Sequence, residues 1–280
     1  MPLSVDRIEA AGPRQMVGPR HQNRLVIAPR EHAPYCPFLF LAEDWFAPPA
    51  GFPTHPHRGM ETVTFVLEGQ MIHEDHTGAH GELEAGDIQF MTAGGGVLHS
   101  EMPGPQGVHS LQLWLNLPAA KKMSPARYSD QRAADAALVS GEGFEVRLYA
   151  GRFGAAERAH GSLWPLALMD LRLEAGAALD LPLQKGWRGF LLVLEGEAEL
   201  GAGAAVAKAD QHAWAHAQDA DDVLPLTARA PLRALFYAAP VIDEPVVAHG
   251  PFVMNTVDEI RQAFADYQTG RLTQVSAARP

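Results

Sequence analysis

The hexapeptide Thr64-Phe65-Val66-Leu67-Glu68-Gly69 has an echo 127 residues downstream, Leu191-Leu192-Val193-Leu194-Glu195-Gly196. Each is a short apolar run that stops at Glu-Gly, the pattern of a buried strand ending in a turn. On its own the echo says only that two buried strands end alike. Added to the size of each half of a 280-residue chain, it favours two barrels of one kind in tandem. Extending the alignment backward without a gap sets Gly59 on Gly186, His55 on Pro182, His57 on Gln184 and Glu61 on Arg188. The second copy has lost the ligand-type side chains, so any site is expected in the first half and the second half is expected to be structural.

The rest of the chain supports an all-β fold. Strand-like runs lie at 24–28, 38–42, 62–67, 71–74, 87–91 and 110–117, with turn signals at Glu84-Ala85-Gly86-Asp87 and Ala93-Gly94-Gly95-Gly96. The 26 glycines and 22 prolines favour many turns over long helices. Short strands at near-regular spacing indicate a sandwich or barrel. The expected division is a first barrel over 1–120, a linker with some helix over 121–140, and a second barrel over 141–280. The last part also carries a helix. Thr256-Val257-Asp258-Glu259 is a capping-box pattern, Ile260, Ala263, Phe264 and Tyr267 recur at helical spacing, and Gly270 is a stop.

Composition removes several classes of function. A formal net charge of −11 without a basic run argues against direct nucleic-acid binding. The single cysteine, Cys36, excludes an intrachain disulfide and a thiolate zinc site, and is expected to be buried rather than reactive. The first residues have no apolar core of a signal peptide, and no stretch approaches the ~20 apolar residues of a membrane span. The expectation is a soluble, cytoplasmic protein.

Seven of the 13 histidines, His55, His57, His73, His76, His80, His99 and His109, fall in one fifth of the chain. Two dyads stand out, His55-Pro56-His57 and His99-Ser100-Glu101. Residues i and i+2 of a strand project from one face with Cα atoms roughly 6.6 Å apart, so both members of each dyad can converge on one ion. Three imidazoles and a carboxylate suit a redox-capable first-row metal better than calcium or magnesium. Pro56 removes a ladder donor and implies a rim position. Without the parity argument, each dyad could equally be a solvated strand face or a polar cap after the Gly94-Gly95-Gly96 turn. Glu61 keeps strand parity with His55 and His57 and stays open as a competing ligand or a supporting acceptor. His73, His76 and His80 sit in what looks like a hairpin tip and are expected to be solvated. His109 is either a supporting or a structural residue, and His212 and His216 are expected to be non-ligands.

The segments THPHRGMETVTFVLEGQMIHED, GDIQFMTAGGGVLHSEMP and HGPFVMNTVDEIRQAFADYQTGR resemble the signature stretches of the pirin family, and LFLAEDWFAPPAGFP and LWLNLPAAKKMSPARY fit the same pattern. The resemblance runs from about residue 24 to 272. It implies a double cupin: two antiparallel jelly-roll-like barrels with iron in the first, held by His55, His57, His99 and Glu101, and no metal in the second. Glu61 follows His57 by four residues, short of the wider cupin spacing, which makes Glu101 the better carboxylate. Fe(II) is the expected ion, with Mn, Co, Ni, Cu or Zn compatible with the same donors.

Some pirin-like proteins are quercetin 2,3-dioxygenases and others are described as transcriptional co-regulators. The expected activity is therefore an iron-dependent dioxygenase acting on a flavonol or similar enolic aromatic with dioxygen. Glu101 would serve as ligand and base, and ring cleavage would release carbon monoxide. The alternatives are a non-enzymatic metal-binding regulator or redox sensor with a protein partner, and a metal-dependent isomerase or other cupin enzyme.

Overall fold

A computed structural model describes residues 2–29, 34–217 and 219–274. The described residues are mostly β-strand with one α-helix, and they form two compact units. The first unit holds residues 13–134, 161–163 and 242 onward; the second holds residues up to 12, 135–160 and 164–241.

The first unit is built on a nine-stranded antiparallel sheet. At its centre the 20-residue strand Val97–Asn116 pairs with Met60–Asp75 on one side and with Phe38–Phe46 and Phe52–His57 on the other. A strand this long survives because its register shifts beside Gly69 and at two further bulges, which bend the sheet on itself. The second unit pairs an eight-stranded sheet with a four-stranded one. Its interior is a packed apolar core that includes Leu171, Leu181, Leu183, Leu191, Leu224, Leu226 and Phe236.

The echo noted in the sequence has a structural meaning. Gly69 and Gly196 both take positive φ, 75° and 84°, but only the second ends a strand: Gly196 follows Trp187–Glu195, whereas Gly69 sits at a register shift inside Met60–Asp75, which runs on past the expected turn. A Cβ at either would collide with a backbone carbonyl, that of Gly107 or of Pro231, so only glycine fits both positions.

The units do not follow the simple 1–120 and 141–280 division. Arg7–Ala10 pairs with Gln211–Ala217, placing the start of the chain in the second barrel. The end of the chain completes the first barrel. Helix Val257–Gln268 is capped by Thr256 and Glu259 as the sequence predicts, but it buries Ile260 and Ala263 against Phe252, Met254 and Leu272 of the first unit. Two buried cations secure this arrangement. Arg58 donates to Gly95 O (2.7 Å) and Asp266 Oδ2 (2.8 Å), and Lys122 Nζ donates to Gly59 O (2.8 Å), Asn116 Oδ1 (2.7 Å) and Val253 O (3.2 Å). The 121–140 stretch is likewise not a free linker. Arg127–Gln131 pairs with Ile88–Thr92, Ala137–Gly141 pairs with Phe144–Phe153, and its helical content is two short 3-10 turns.

Candidate metal centre

Strand pairing brings the two dyads together. His55 lies directly opposite His99 in the antiparallel ladder, and Phe52 lies opposite Glu101. Their ring centroids are 4.3 Å apart for His55 and His99, 4.9 Å for His55 and His57, and 5.1 Å for His57 and His99. One donor nitrogen from each of the three lies within 4.8 Å of the others. A shared ion at roughly 2.1 Å from each nitrogen needs donors about 3–4 Å apart, so small side-chain adjustments close the site.

The hydrogen bonds set the tautomers. His55 Nδ1 donates to Pro53 O (2.9 Å) and His57 Nδ1 donates to Pro251 O (3.2 Å), which leaves the Nε2 lone pair of each ring available. The Nε2 atoms of His57, His73 and His99 are buried with no hydrogen-bond partner. Nitrogens left bare inside a protein cost roughly 1–3 kcal/mol each unless something binds them. Burial also keeps these rings neutral. It pushes His57 down to about 3, aided by the nearby His55, against a smaller opposing effect of the Pro251 hydrogen bond. Burial lowers His99 further, helped by His57, His55 and His73, and it lowers His55 against the Pro53 bond. Neutral, unpartnered imidazoles are the state a cation binds, so the residues fit a first-row metal.

Glu101 is buried beside this cluster. Gln112 Nε2 donates to both its oxygens (2.8 and 2.9 Å) and Thr64 Oγ1 to one (3.4 Å). Burial pushes its carboxyl up to about 7; the Gln112 bond opposes the rise, and the charge of Asp44 adds to it.

Two sequence expectations change. His73 is not a solvated loop residue. It is fully buried on the strand Met60–Asp75, in register with Glu101, with its Nδ1 3.5 Å from His99 Nδ1 and its ring stacked on Tyr128. His73, His99 and Glu101 form a second group of converging donors that shares His99 with the first. Glu61, kept open as a ligand, is engaged elsewhere: it accepts from Thr92 Oγ1 (2.6 Å), Leu163 N (2.8 Å) and Ser162 Oγ. Its parity with His57 fails because Gly59, at φ 82°, breaks the strand between them.

His76 and His80 are exposed as expected. His109 is structural, bonded through Nε2 to Glu43 (2.7 Å) and stacked on Trp45. His212 and His216 lie in the second barrel outside either donor group, and Cys36 is buried.

The donors open onto a cavity of about 410 Å³ whose lining includes His55, His57, Glu101, Phe40, Trp114 and Met71. Both groups of metal-type donors found among the described residues lie in the first barrel. Fold and site together define a bicupin with a converging imidazole set in its first barrel.

Two family models match the chain, Pirin over residues 30–115 and the Pirin C-terminal cupin domain over residues 168–273. A pirin-like protein of Solanum lycopersicum is 39% identical over 236 residues, 84% of this chain and 81% of that protein. Pirin of Homo sapiens is 38% identical over 239 residues, covering 84% and 82%. The chain belongs to the pirin family. Among solved structures, a quercetin 2,3-dioxygenase from Acinetobacter baumannii superposes with a TM-score of 0.86 at 29% identity, over 99% of this chain and all of that one.

Proposed function

We propose that the chain is a metal-dependent dioxygenase of the quercetin 2,3-dioxygenase type, acting on a flavonol or similar enolic aromatic. The observation that carries this reading is the set of converging imidazoles with buried, unpartnered nitrogens on His57, His73 and His99, beside an apolar cavity that His55 and His57 line. The Acinetobacter baumannii structure, similar along the whole chain, supports the choice of reaction. His55, His57, His99 and Glu101 would hold the ion, with iron the first choice. When bound, it supplies Lewis acidity toward an enolic oxygen and exchanges single electrons with dioxygen.

The protein's own part is geometry and proton handling. Pro53 and Pro251 carbonyls orient two of the imidazoles, and Gln112 holds the Glu101 carboxylate. Glu101 accepts the proton of the substrate hydroxyl on a carboxylate oxygen, and its raised affinity for that proton suits the task. Phe40, Trp114 and Met71 exclude water around the flat rings. A second reading is the metal-binding regulator without turnover that the family resemblance also implies; the relatives of 38–39% identity are named as pirins, not as dioxygenases.

Protein loaded anaerobically with Fe(II) and checked by elemental analysis is expected to consume oxygen and release carbon monoxide with quercetin. Glu101→Gln is expected to lower turnover by at least about a hundredfold. A full metal complement with no oxygen uptake on any flavonol would leave the regulatory reading.

A further inference from the structure

The cavity has a second polar pole that the metal chemistry does not use. Asp44 lies on its wall, 5% exposed, together with His21, Asn23 and Ser110. His21 Nε2 (2.8 Å) and Asn23 Nδ2 (2.9 Å) both meet Asp44 Oδ1. Among the described residues no hydrogen bond reaches Oδ2. The brace is rigid: Asn23 is the direct ladder partner of Asp44, and the His21 ring is set between Phe46 and Phe52 at 5.2 Å from each. A nearly buried carboxylate with one oxygen committed and the other bare is an acceptor waiting for a donor.

Its place relative to the donors follows from the ladder. Asp44 is opposite Ser110, and Ala42 is opposite Gln112, the residue that grips Glu101. Ser110 and Gln112 are consecutive positions on one face, so the two poles are separated by roughly 6.6 Å of strand, a step that a fused two- or three-ring aromatic spans.

We propose that Asp44 is a specificity-determining residue: its Oδ2 accepts a hydrogen bond from a hydroxyl at the end of the substrate remote from the metal donors. This rests on the reading of the cavity as an aromatic-substrate site. It narrows the substrate to an uncharged polyhydroxylated aromatic, and it disfavours aromatics that carry a distal carboxylate, which would face a like charge. In Asp44→Asn the amide oxygen keeps the two bracing donors and turns an NH2 group toward the cavity, so acceptor becomes donor.

The test is anaerobic binding to the Fe(II)-loaded protein, followed by quenching of tryptophan fluorescence, with quercetin and with 3-hydroxyflavone, which retains only the enolic hydroxyl. Wild type is expected to prefer quercetin by about tenfold or more, and Asp44→Asn to bring the ratio to within about twofold of unity, the size of one charge-assisted hydrogen bond. Asn23→Ala, which removes half the brace, is expected to lower the ratio several-fold and serves if Asp44→Asn does not fold.

A ratio that stays at the wild-type value in these variants overturns the assignment, whatever the oxygen uptake. A ratio that collapses while wild type consumes no oxygen upholds Asp44 as a recognition residue and removes the dioxygenase reading. Failure of wild type to bind either probe overturns both.

Discussion

In the first barrel the strand Phe52–His57 sends His55 and His57 toward the interior; in the second, the strand Ala178–Leu183 packs Leu179, Leu181 and Leu183 into a core of leucine and alanine. Both barrels have a positive-φ glycine after the matching apolar run, where a Cβ would strike a backbone carbonyl, and both bury long strands. They differ in what the interior asks for. The apolar interior of the second is filled by its own leucine, alanine and phenylalanine side chains. The first contains three buried imidazole nitrogens, of His57, His73 and His99, with no hydrogen-bond partner, which a bound cation would satisfy. One scaffold thus carries an apolar filling in one copy and converging imidazoles in the other, a difference made at a handful of inward positions.

The largest expected effect tests that division directly. His57→Ala should weaken first-row metal binding by at least about a hundredfold, since even residues that only support a ligand are worth ten- to a hundredfold. Gln184→Ala, at the aligned position of the second barrel, should leave affinity and stoichiometry unchanged by titration calorimetry. Metal loss in both would erase the contrast. The converse perturbation is Leu191→Ala, which opens a void in the packed second core. Denaturant unfolding should show a loss of about 2–5 kcal/mol with the metal stoichiometry intact.

The smallest effect concerns acid. Unfolded His57 takes up a proton near its ordinary value of 6.5, while the folded ring refuses it until about pH 3. Protons therefore favour the unfolded chain, and the metal-free protein should lose stability as pH falls below 6.5. His57→Gln should flatten that slope between pH 6.5 and 4 in melting experiments. An unchanged slope would mean other groups govern acid sensitivity.

Much of this was legible in the residues. The i, i+2 dyads identify inward pairs because strand parity is a local property, and the Glu-Gly echo marks two like barrels for the same reason. His73 was not legible. Its place opposite Glu101 depends on the pairing of strands nearly 30 residues apart, and its flanking Glu74-Asp75 reads as a polar turn. Asp44 was hidden likewise, since the adjacent charges Glu43-Asp44 read as a solvated strand end, yet both are buried on Phe38–Phe46. Glu61 misled because Gly59 reverses the backbone between it and the dyad. The exchanged ends were invisible for the most general reason: partners more than 200 residues away, such as Asp266 for Arg58, leave no trace in local pattern.

That exchange bears on how the molecule is made. The carbonyl that aims His57 belongs to Pro251, and the carboxylate that pins its neighbour Arg58 belongs to Asp266. A ribosome delivers both histidine dyads more than a hundred residues before either group leaves the exit tunnel. These contacts can form only after the candidate donors have been synthesised, and an excised fragment ending near residue 120 would carry the donors without the Pro251 carbonyl and the Asp266 carboxylate.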